Sequence, residues 1–452
     1  MMENLVCLTV EERLYGLSLI WQEANYNFAF FDRVPDLDWE ASYKEYIPQV
    51  IAADDIFTYY DLLARFTALL KDGHTLVAPP KSVYLSLDRP KLTLMNVGRT
   101  PIVTNASHTI VCRVPIGSEL LEIDGMEAEE YLSTFVFPVI CENTPHRLRD
   151  QAGARILLGP NGSKVHCKFH TPGGDCVEMD LWRNRRTDAN PWLRPSGVPD
   201  RFEFMYFDEW LYNEKPLTAF EFRLLEGAVG YVALNTFMDS RVVTSFEEKL
   251  PTLRNCLGLI LDLRKNHGGN DDFGYSIVSH FLRQPTETCL VRSQKHLAVS
   301  RARGVSLKDT PADKVPNLSE EQTELLRSYQ HQWFHEESWG NIRPAQEILS
   351  FPTVILTDSE TGSAAEDFIM AFQSGKGEGI RMGRSTAGST GQPLIEELPG
   401  GGMLSVCTVR MPWPEKVWRN GIEPHIQVEP TVEGVIRDED RALNTALSYL
   451  CG

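Results

Sequence analysis

The chain lacks the excess of positive charge that a phosphate-binding surface needs. Its 452 residues carry 44 Lys and Arg against 62 Asp and Glu, a formal net charge of −18. That balance argues against a nucleic-acid groove or an anionic membrane surface as partner. No run of about eighteen apolar residues occurs, so no membrane span is expected. The N-terminus, "MMENLVCLTVEERLYGLSLIWQEANYNFAFF", has no basic segment ahead of an apolar one, and no signal peptide is expected. The nine cysteines are scattered singly and form no C-x-x-C pair. Their odd number and spacing fit reduced thiols in a cytoplasmic protein better than a disulfide framework. Short-period repeats and low-complexity tracts are also missing.

What is present is ordinary globular composition, 42% hydrophobic and 23% charged. The length exceeds one hydrophobic core and predicts two or three domains. Residues 1–85 read as a helical N-terminal region. Apolar residues recur at three and four in "LYGLSLIWQEA" and "IFTYYDLLARFTALL", and "KDGHT" closes the second helix. Residues 86–186 change to short β-rich runs between Gly, Pro and Asn, such as "TIVCRV", "SELLEIDG" and "KVHCKFHTPGGDCVEMDLWR", with "AEEYLSTFVF" as their one clear helix. Residues 187–225, rich in Pro and aromatics, read as a connector. Residues 226–452 alternate apolar strands with helices: "VGYVALN" and "SFEEKLPTLRN", "LGLILDLR" and "DDFGYSIVSHFLRQ", "TVILTD" and "SAAEDFIMAFQS", then "GIRMGR". That alternation predicts an α/β layer structure around a buried sheet.

In such sheets reactive groups gather beyond the carboxyl ends of strands. Two stretches occupy that place. "LILDLRKNHGGNDD" meets Gly268 and Gly269 after a buried strand, where paired glycines turn the backbone sharply and present N–H groups to an anion. "TDSETGSAAEDF" places Ser363 at a strand-to-helix turn. As a helix cap, Ser363 would form a capping box with Glu366. As a nucleophile it would have the Ala364 N–H at the helix start to stabilise an oxyanion. A serine nucleophile needs a base, and His74 in "KDGHTLV" sits in a tight turn among small neighbours. His331 and His335 in "HQWFHEE" have zinc-like spacing, but Gln332 breaks the metalloprotease motif and no third ligand follows. They read as an exposed helix face. His267 and His425 read as positional.

Taken together, "GYVALNTF", "LILDLRKNHGGN", "VILTDSETGSAAEDF", "GRSTAGSTG" and "NGIEPHIQV", with "LLKDGHT" upstream, resemble the tail-specific (C-terminal processing) serine peptidases. Their relatives include the tricorn core protease and the interphotoreceptor retinoid-binding protein modules. The resemblance implies an α/β fold with a Clp/crotonase-like spiral catalytic core, preceded by a helical region and an inserted β-rich PDZ-like domain. "VPIGSELLEIDGMEAEEYL" and "LLGPNGSKVHCKF" would belong to that insert. It further implies a serine endopeptidase acting through an acyl-enzyme, with Ser363 as nucleophile and Gly269 and Ala364, or Gly268 in place of Gly269, as oxyanion donors. The better-known branch has a lysine base where this chain has Ser385. The histidine branch puts its base upstream, at His74. Relatives in that branch often carry a glutamate at the position of Trp418, so Asp72, Thr75 or Glu415 would orient His74 here. No metal or organic cofactor is implied. The implied partner is a peptide or protein substrate, held through its C-terminus. The same resemblance admits a ligand- or peptide-binding protein without catalysis, or a hydrolase of small esters or biosynthetic intermediates.

Overall fold

The computed structural model describes residues 7–194, 218–288, 290–294, 298–329, 334–338, 340–411 and 421–452. Three helices open the chain: α1 (Val10–Asn27), α2 (Trp39–Ala52) and α3 (Ile56–Ala68). Each starts on a side-chain cap. Thr9 and Glu12 form a reciprocal capping box on α1, while Asp38 and Asp55 accept from the first turns of α2 and α3. Their apolar faces bury Leu17, Ile20, Leu63 and Phe66, and Phe66 stacks on Trp39 with ring centroids 4.2 Å apart. At about 1.5–3 kcal/mol per large buried apolar side chain, this cluster is what holds the helices together. It also contains Leu404 and Val406, more than three hundred residues downstream by number, from a late strand described below.

That link decides where His74 goes. After α3, strand β1 (Leu76–Ala78) pairs antiparallel with a strand near the C-terminal end of the chain, at Leu76↔Ser405 and Ala78↔Met403. The helical region is therefore stitched to the later part of the chain.

The next segment forms its own sheet from β2 (Leu92–Val97), β3 (Thr100–Ala106), β4 (Glu119–Ile123), β5 (Lys164–His170) and β6 (Cys176–Trp182), in that spatial order and antiparallel throughout. Its core of Leu94, Val103, Leu120, Val165 and Phe169 is distinct from the other clusters. Two readings fail here. "TIVCRV" contributes a short helix, His108–Val111, not a strand. Helix α4 (Pro145–Arg155) is an additional helix, begun by Pro145 at its first position. Its sequence, "PHRLRDQAGAR", has few apolar residues to show a period, and tertiary contacts override that weak pattern.

The last region is built on a six-stranded sheet. Strand β7 (Phe220–Leu224) lies antiparallel to β8 (Val229–Leu234). Strands β8, β9 (Gly258–Asp262), β10 (Thr353–Thr357), β11 (Gly379–Gly383) and β12 (Ile426–Gln427) then run parallel. Every residue of β8, β9 and β10 is buried, as a sheet covered on both faces requires. On one face lie α5 (Arg241–Leu253), α6 (Asp271–Val278) and α7 (Ala364–Ser374), burying Phe246, Ile277 and Phe368. Against the other lies α8 (Arg441–Cys451), through Ala442 and Ala446. Arg264 ties that helix to the sheet, donating to Asp262 at 2.6 Å and to the helix cap Asp440 at 2.8 Å. The architecture is mixed α/β. The late hairpin Pro393–Leu398 and Gly402–Cys407 leaves this sheet to receive β1. "HQWFHEE" differs from its helical reading: Phe334–Ser338, including His335, is a strand, and His331 lies outside the described residues.

All eight described cysteines are free. No helix among the described residues is long and apolar enough to cross a membrane.

Candidate functional site

Three loops leave the carboxyl ends of neighbouring parallel strands and are bonded to one another. Thr361 Oγ1 of the loop after β10 donates to Leu263 O of the loop after β9, at 3.0 Å. Gly362 N donates to Asn266 O at 3.0 Å. From the loop after β11, Ala387 N donates to Thr361 O at 2.8 Å, while Ser363 N donates back to Ser389 O at 2.7 Å. These bonds hold Ser363 at φ 53° and ψ −130°, a left-handed backbone that a non-glycine residue rarely adopts. Such a conformation costs about 1–3 kcal/mol and persists only where the surroundings impose it.

The capping reading of Ser363 fails on geometry. The Ser363 side chain makes no cap bond to α7. Glu366 does not reach back to it either. Buried within α7, Glu366 accepts from the Thr386 hydroxyl, from Gly388 N at 2.8 Å and from Ser389 N at 2.9 Å. Burial raises its pKa against the pull of those three donors.

The Ser363 hydroxyl faces His74. Nε2 of His74 lies 3.3 Å from Ser363 Oγ, across 289 residues of chain. The ring is placed by the seam at β1: Ser405 Oγ donates to His74 O at 2.6 Å, and Cys407 N donates to Thr75 Oγ1 at 3.0 Å. Asp72 accepts from the Thr75 hydroxyl at 2.8 Å and from His74 N at 3.2 Å. Neither Asp72 nor Thr75 bonds the imidazole, so both build the turn without orienting the ring directly. Glu415 and Trp418 lie outside the described residues. The ring partner is Ser389, whose Oγ lies 2.7 Å from Nδ1. Burial lowers the pKa of His74, with Asp72 pulling it up and Arg147 pushing it down.

Ser389 is the residue the sequence reading missed. It lies in the same "GRSTAGSTG" stretch as Ser385, four positions on. Only the doubled Ser-Thr of that stretch signals it, and nothing in the spacing says which serine faces inward.

The two glycines divide their tasks. Gly268 N donates to Asn266 Oδ1 at 2.8 Å and is occupied. Phe237 forms a parallel bridge with Gly269, bonding Gly268 O at 3.0 Å and Asn270 N at 2.9 Å. In that pattern the N–H of Gly269 itself points away from Phe237. Gly268 has φ +96°, and a Cβ there would lie 2.5 Å from Ser363 Cβ and 2.8 Å from Ala364 N. The missing side chain keeps the space before the Ala364 N–H open.

The residues just before α4 and its first turn clasp the third loop. Asn143 Nδ2 donates to Gly388 O, Thr144 Oγ1 to Ala387 O at 3.0 Å, and His146 Nε2 to Thr386 O at 2.7 Å. Arg147 donates to Ser359 O at 2.6 Å and to Glu142 Oε1 at 2.8 Å. The remaining histidines are accounted for differently. His267 lies 3.3 Å from Glu360. Burial opposes the ionisation of that carboxyl, but Lys265 and His267 hold it down to about 2. His425 accepts from Arg381 N at 2.9 Å. No group of metal-ligating side chains occurs among the described residues.

Over residues 228–428 the sequence matches the family model described as Peptidase family S41. No curated protein matches it significantly. Among solved structures, the chain is similar to mature CPAF complexed with lactacystin, with 15% identity, 98% of each chain covered and a TM-score of 0.68. A second structure of mature CPAF gives 15% identity, 98% and 97% coverage and 0.67. A protein described as a peptidase from Parabacteroides merdae gives 16% identity, 99% and 98% coverage and 0.51. At these identities the likeness concerns the fold.

Proposed function

We propose that the chain, whose residues 228–428 match the Peptidase family S41 model, is a serine peptidase that cleaves peptide bonds through an acyl-enzyme on Ser363. His74 Nε2 takes the proton of Ser363 Oγ as the oxygen attacks the scissile carbonyl. The N–H groups of Gly269 and Ala364 receive the oxyanion, and Ala364 adds the positive end of the α7 dipole. His74 then protonates the leaving amine, and water releases the acyl group by the reverse path. Ser389 accepts from Nδ1–H and so keeps Nε2 free to act as base. Ser385 takes no part.

The observation that carries this reading is the Ser363–His74 pair at 3.3 Å, with Ser363 at positive φ on a helix N-terminus. Strain of that kind, at a hydroxyl that forms no cap, favours a reactive serine over a structural one. The finer fold assignment belongs to the same proposal: a spiral catalytic core, with the β2–β6 sheet as a PDZ-like module that pairs a substrate tail as an added strand. The test is mass spectrometry after incubation with a fluorophosphonate. Modification of Ser363 alone, lost in His74→Ala, supports the reading. A folded protein left unmodified removes it.

A further inference from the structure

If Nε2 of His74 is to receive a proton, Nδ1 must carry one and donate it to Ser389 Oγ, 2.7 Å away. The hydroxyl hydrogen of Ser389 must then point to an acceptor other than His74. Should it point at Nδ1, the tautomer inverts and Nε2 becomes a donor.

Glu142 offers the acceptor. Its Oε1 takes the bond from Arg147 Nε at 2.8 Å, but its Oε2 is enclosed and has no hydrogen-bond partner among the described residues. An enclosed carboxylate oxygen without a donor costs free energy unless something supplies one. A Cβ built on Gly73 would lie 2.8 Å from Ser389 Oγ and 3.0 Å from Glu142 Oε2. The two oxygens therefore border one slot, which stays open because residue 73 has no side chain.

We propose that Glu142 is a positioning residue: its Oε2, which makes no direct bond to Ser389 in this structure, borders the same slot beside Gly73 and draws the Ser389 hydroxyl hydrogen away from Nδ1, which fixes the tautomer of His74. The proposal rests on the peptidase reading of Ser363 and His74. Glu142 touches neither substrate nor the reacting atoms. It acts from outside the S41 segment, on the loop that leads into α4. The charged and titratable groups around this chain are Asp72 and Arg147, which bear on both His74 and Glu142, Arg155, which bears on Glu142, and Cys141, whose thiol pKa is pushed up by burial, Glu142 and Asp72. Burial raises the pKa of Glu142, and Arg147 opposes it.

A neutral near-isostere gives a sharp test. In Glu142→Gln the amide oxygen stays with Arg147, which turns the NH2 toward Ser389. A donor in that place rotates the Ser389 hydroxyl toward Nδ1. The full-length variant is expected to lose at least about tenfold in kcat, with KM little changed, as when a buried triad carboxylate is made an amide. Its acid limb moves to lower pH, because imidazolium loses a carboxylate. Ser389→Ala should lose a similar factor, and the double variant no more than either single one. Wild-type kcat and an unmoved acid limb in folded Glu142→Gln overturn the proposal. If that variant does not fold, Gly73→Ala decides: its methyl, 2.8 Å from Ser389 Oγ and 3.0 Å from Glu142 Oε2, separates the two oxygens, and undiminished kcat there overturns the proposal. The wild-type protein, labelled in parallel with a fluorophosphonate, separates the two levels. An unlabelled Ser363 refutes the peptidase reading, whereas a labelled, active wild type with an indifferent Glu142→Gln refutes only the role of Glu142.

Discussion

Gly268→Ala is the smallest change that should disable hydrolysis without replacing a side chain that donates, accepts or attacks. The added methyl would lie 2.5 Å from Ser363 Cβ, 2.8 Å from Ala364 N and 2.9 Å from Gly362 O. Two of these neighbours are backbone atoms, fixed by the bonds among the three loops, so the methyl cannot be accommodated by a side-chain rotation. Two effects follow. Residue 268 has φ +96°, where an L side chain costs about 1–2 kcal/mol, and overpacking adds about 1–3 kcal/mol. A stability loss of about 2–5 kcal/mol is expected. The methyl also stands before the Ala364 N–H. Loss of one oxyanion donor costs about 10²–10³ in kcat, or about 2.7–4 kcal/mol. The assay is kcat and KM on a fluorogenic peptide at 25 °C, beside a thermal scan that gives the stability loss and shows the variant folded. The expected result is a large fall in kcat with a smaller change in KM. Undiminished kcat would refute the placement of the oxyanion at Ala364.

Four further outcomes are expected. Ser363→Ala abolishes turnover but leaves the thermal midpoint nearly unchanged, since the hydroxyl forms no cap bond on α7; a marked drop in the midpoint would contradict this. The neutral imidazole is the working form and burial lowers its pKa, so kcat/KM stays level through neutrality and declines only as pH drops below about 6.5. Asp271, which burial and Asp272 push up to about 6, and Asp358, which burial and Glu360 push up to about 6, titrate in the same range, so the limb belongs to His74 only if it survives in both Asp271→Asn and Asp358→Asn. Glu366→Gln turns an NH2 toward either Gly388 N–H or Ser389 N–H, so it should cost about 1–3 kcal/mol and lower kcat; a thermal scan and kinetics at 25 °C check both. Peptides with a free C-terminal carboxylate should be cleaved more efficiently than their amides, and equal kcat/KM for the two would remove the tail-binding role of the β2–β6 sheet.

The strands of the S41 segment were legible because they are continuous apolar runs, which a sheet buried on both faces demands. The places of Ser363, Gly268 and Gly269 followed from the same pattern, since loops beyond the carboxyl ends of such strands converge. His74 was legible as a residue, not as a neighbour: its approach to Ser363 depends on the pairing of Leu76 with Ser405, which no local pattern encodes. Ser389 and Glu142 were hidden for a related reason. Both owe their position to cross-chain bonds, and Ser and Glu are too common in loops for their type to mark them. Helix α4, short of apolar residues, had no period to read. The short helix at His108–Val111 was misread because Ile, Val and Thr favour strands until local packing decides otherwise.

The separation of His74 and Ser363 by 289 positions also sets a clock on biosynthesis. At about 5–20 residues per second, a ribosome that has finished the proposed base needs roughly 15–60 s more to supply the proposed nucleophile. The strand that seats His74 comes later still, since its partner Ser405 follows Ser363 in the chain. On the proposed mechanism, a nascent chain therefore has no assembled active site with which to digest itself or its neighbours. Any fragment released early, or cut between the two halves and separated, carries a base without a nucleophile or a nucleophile without a base.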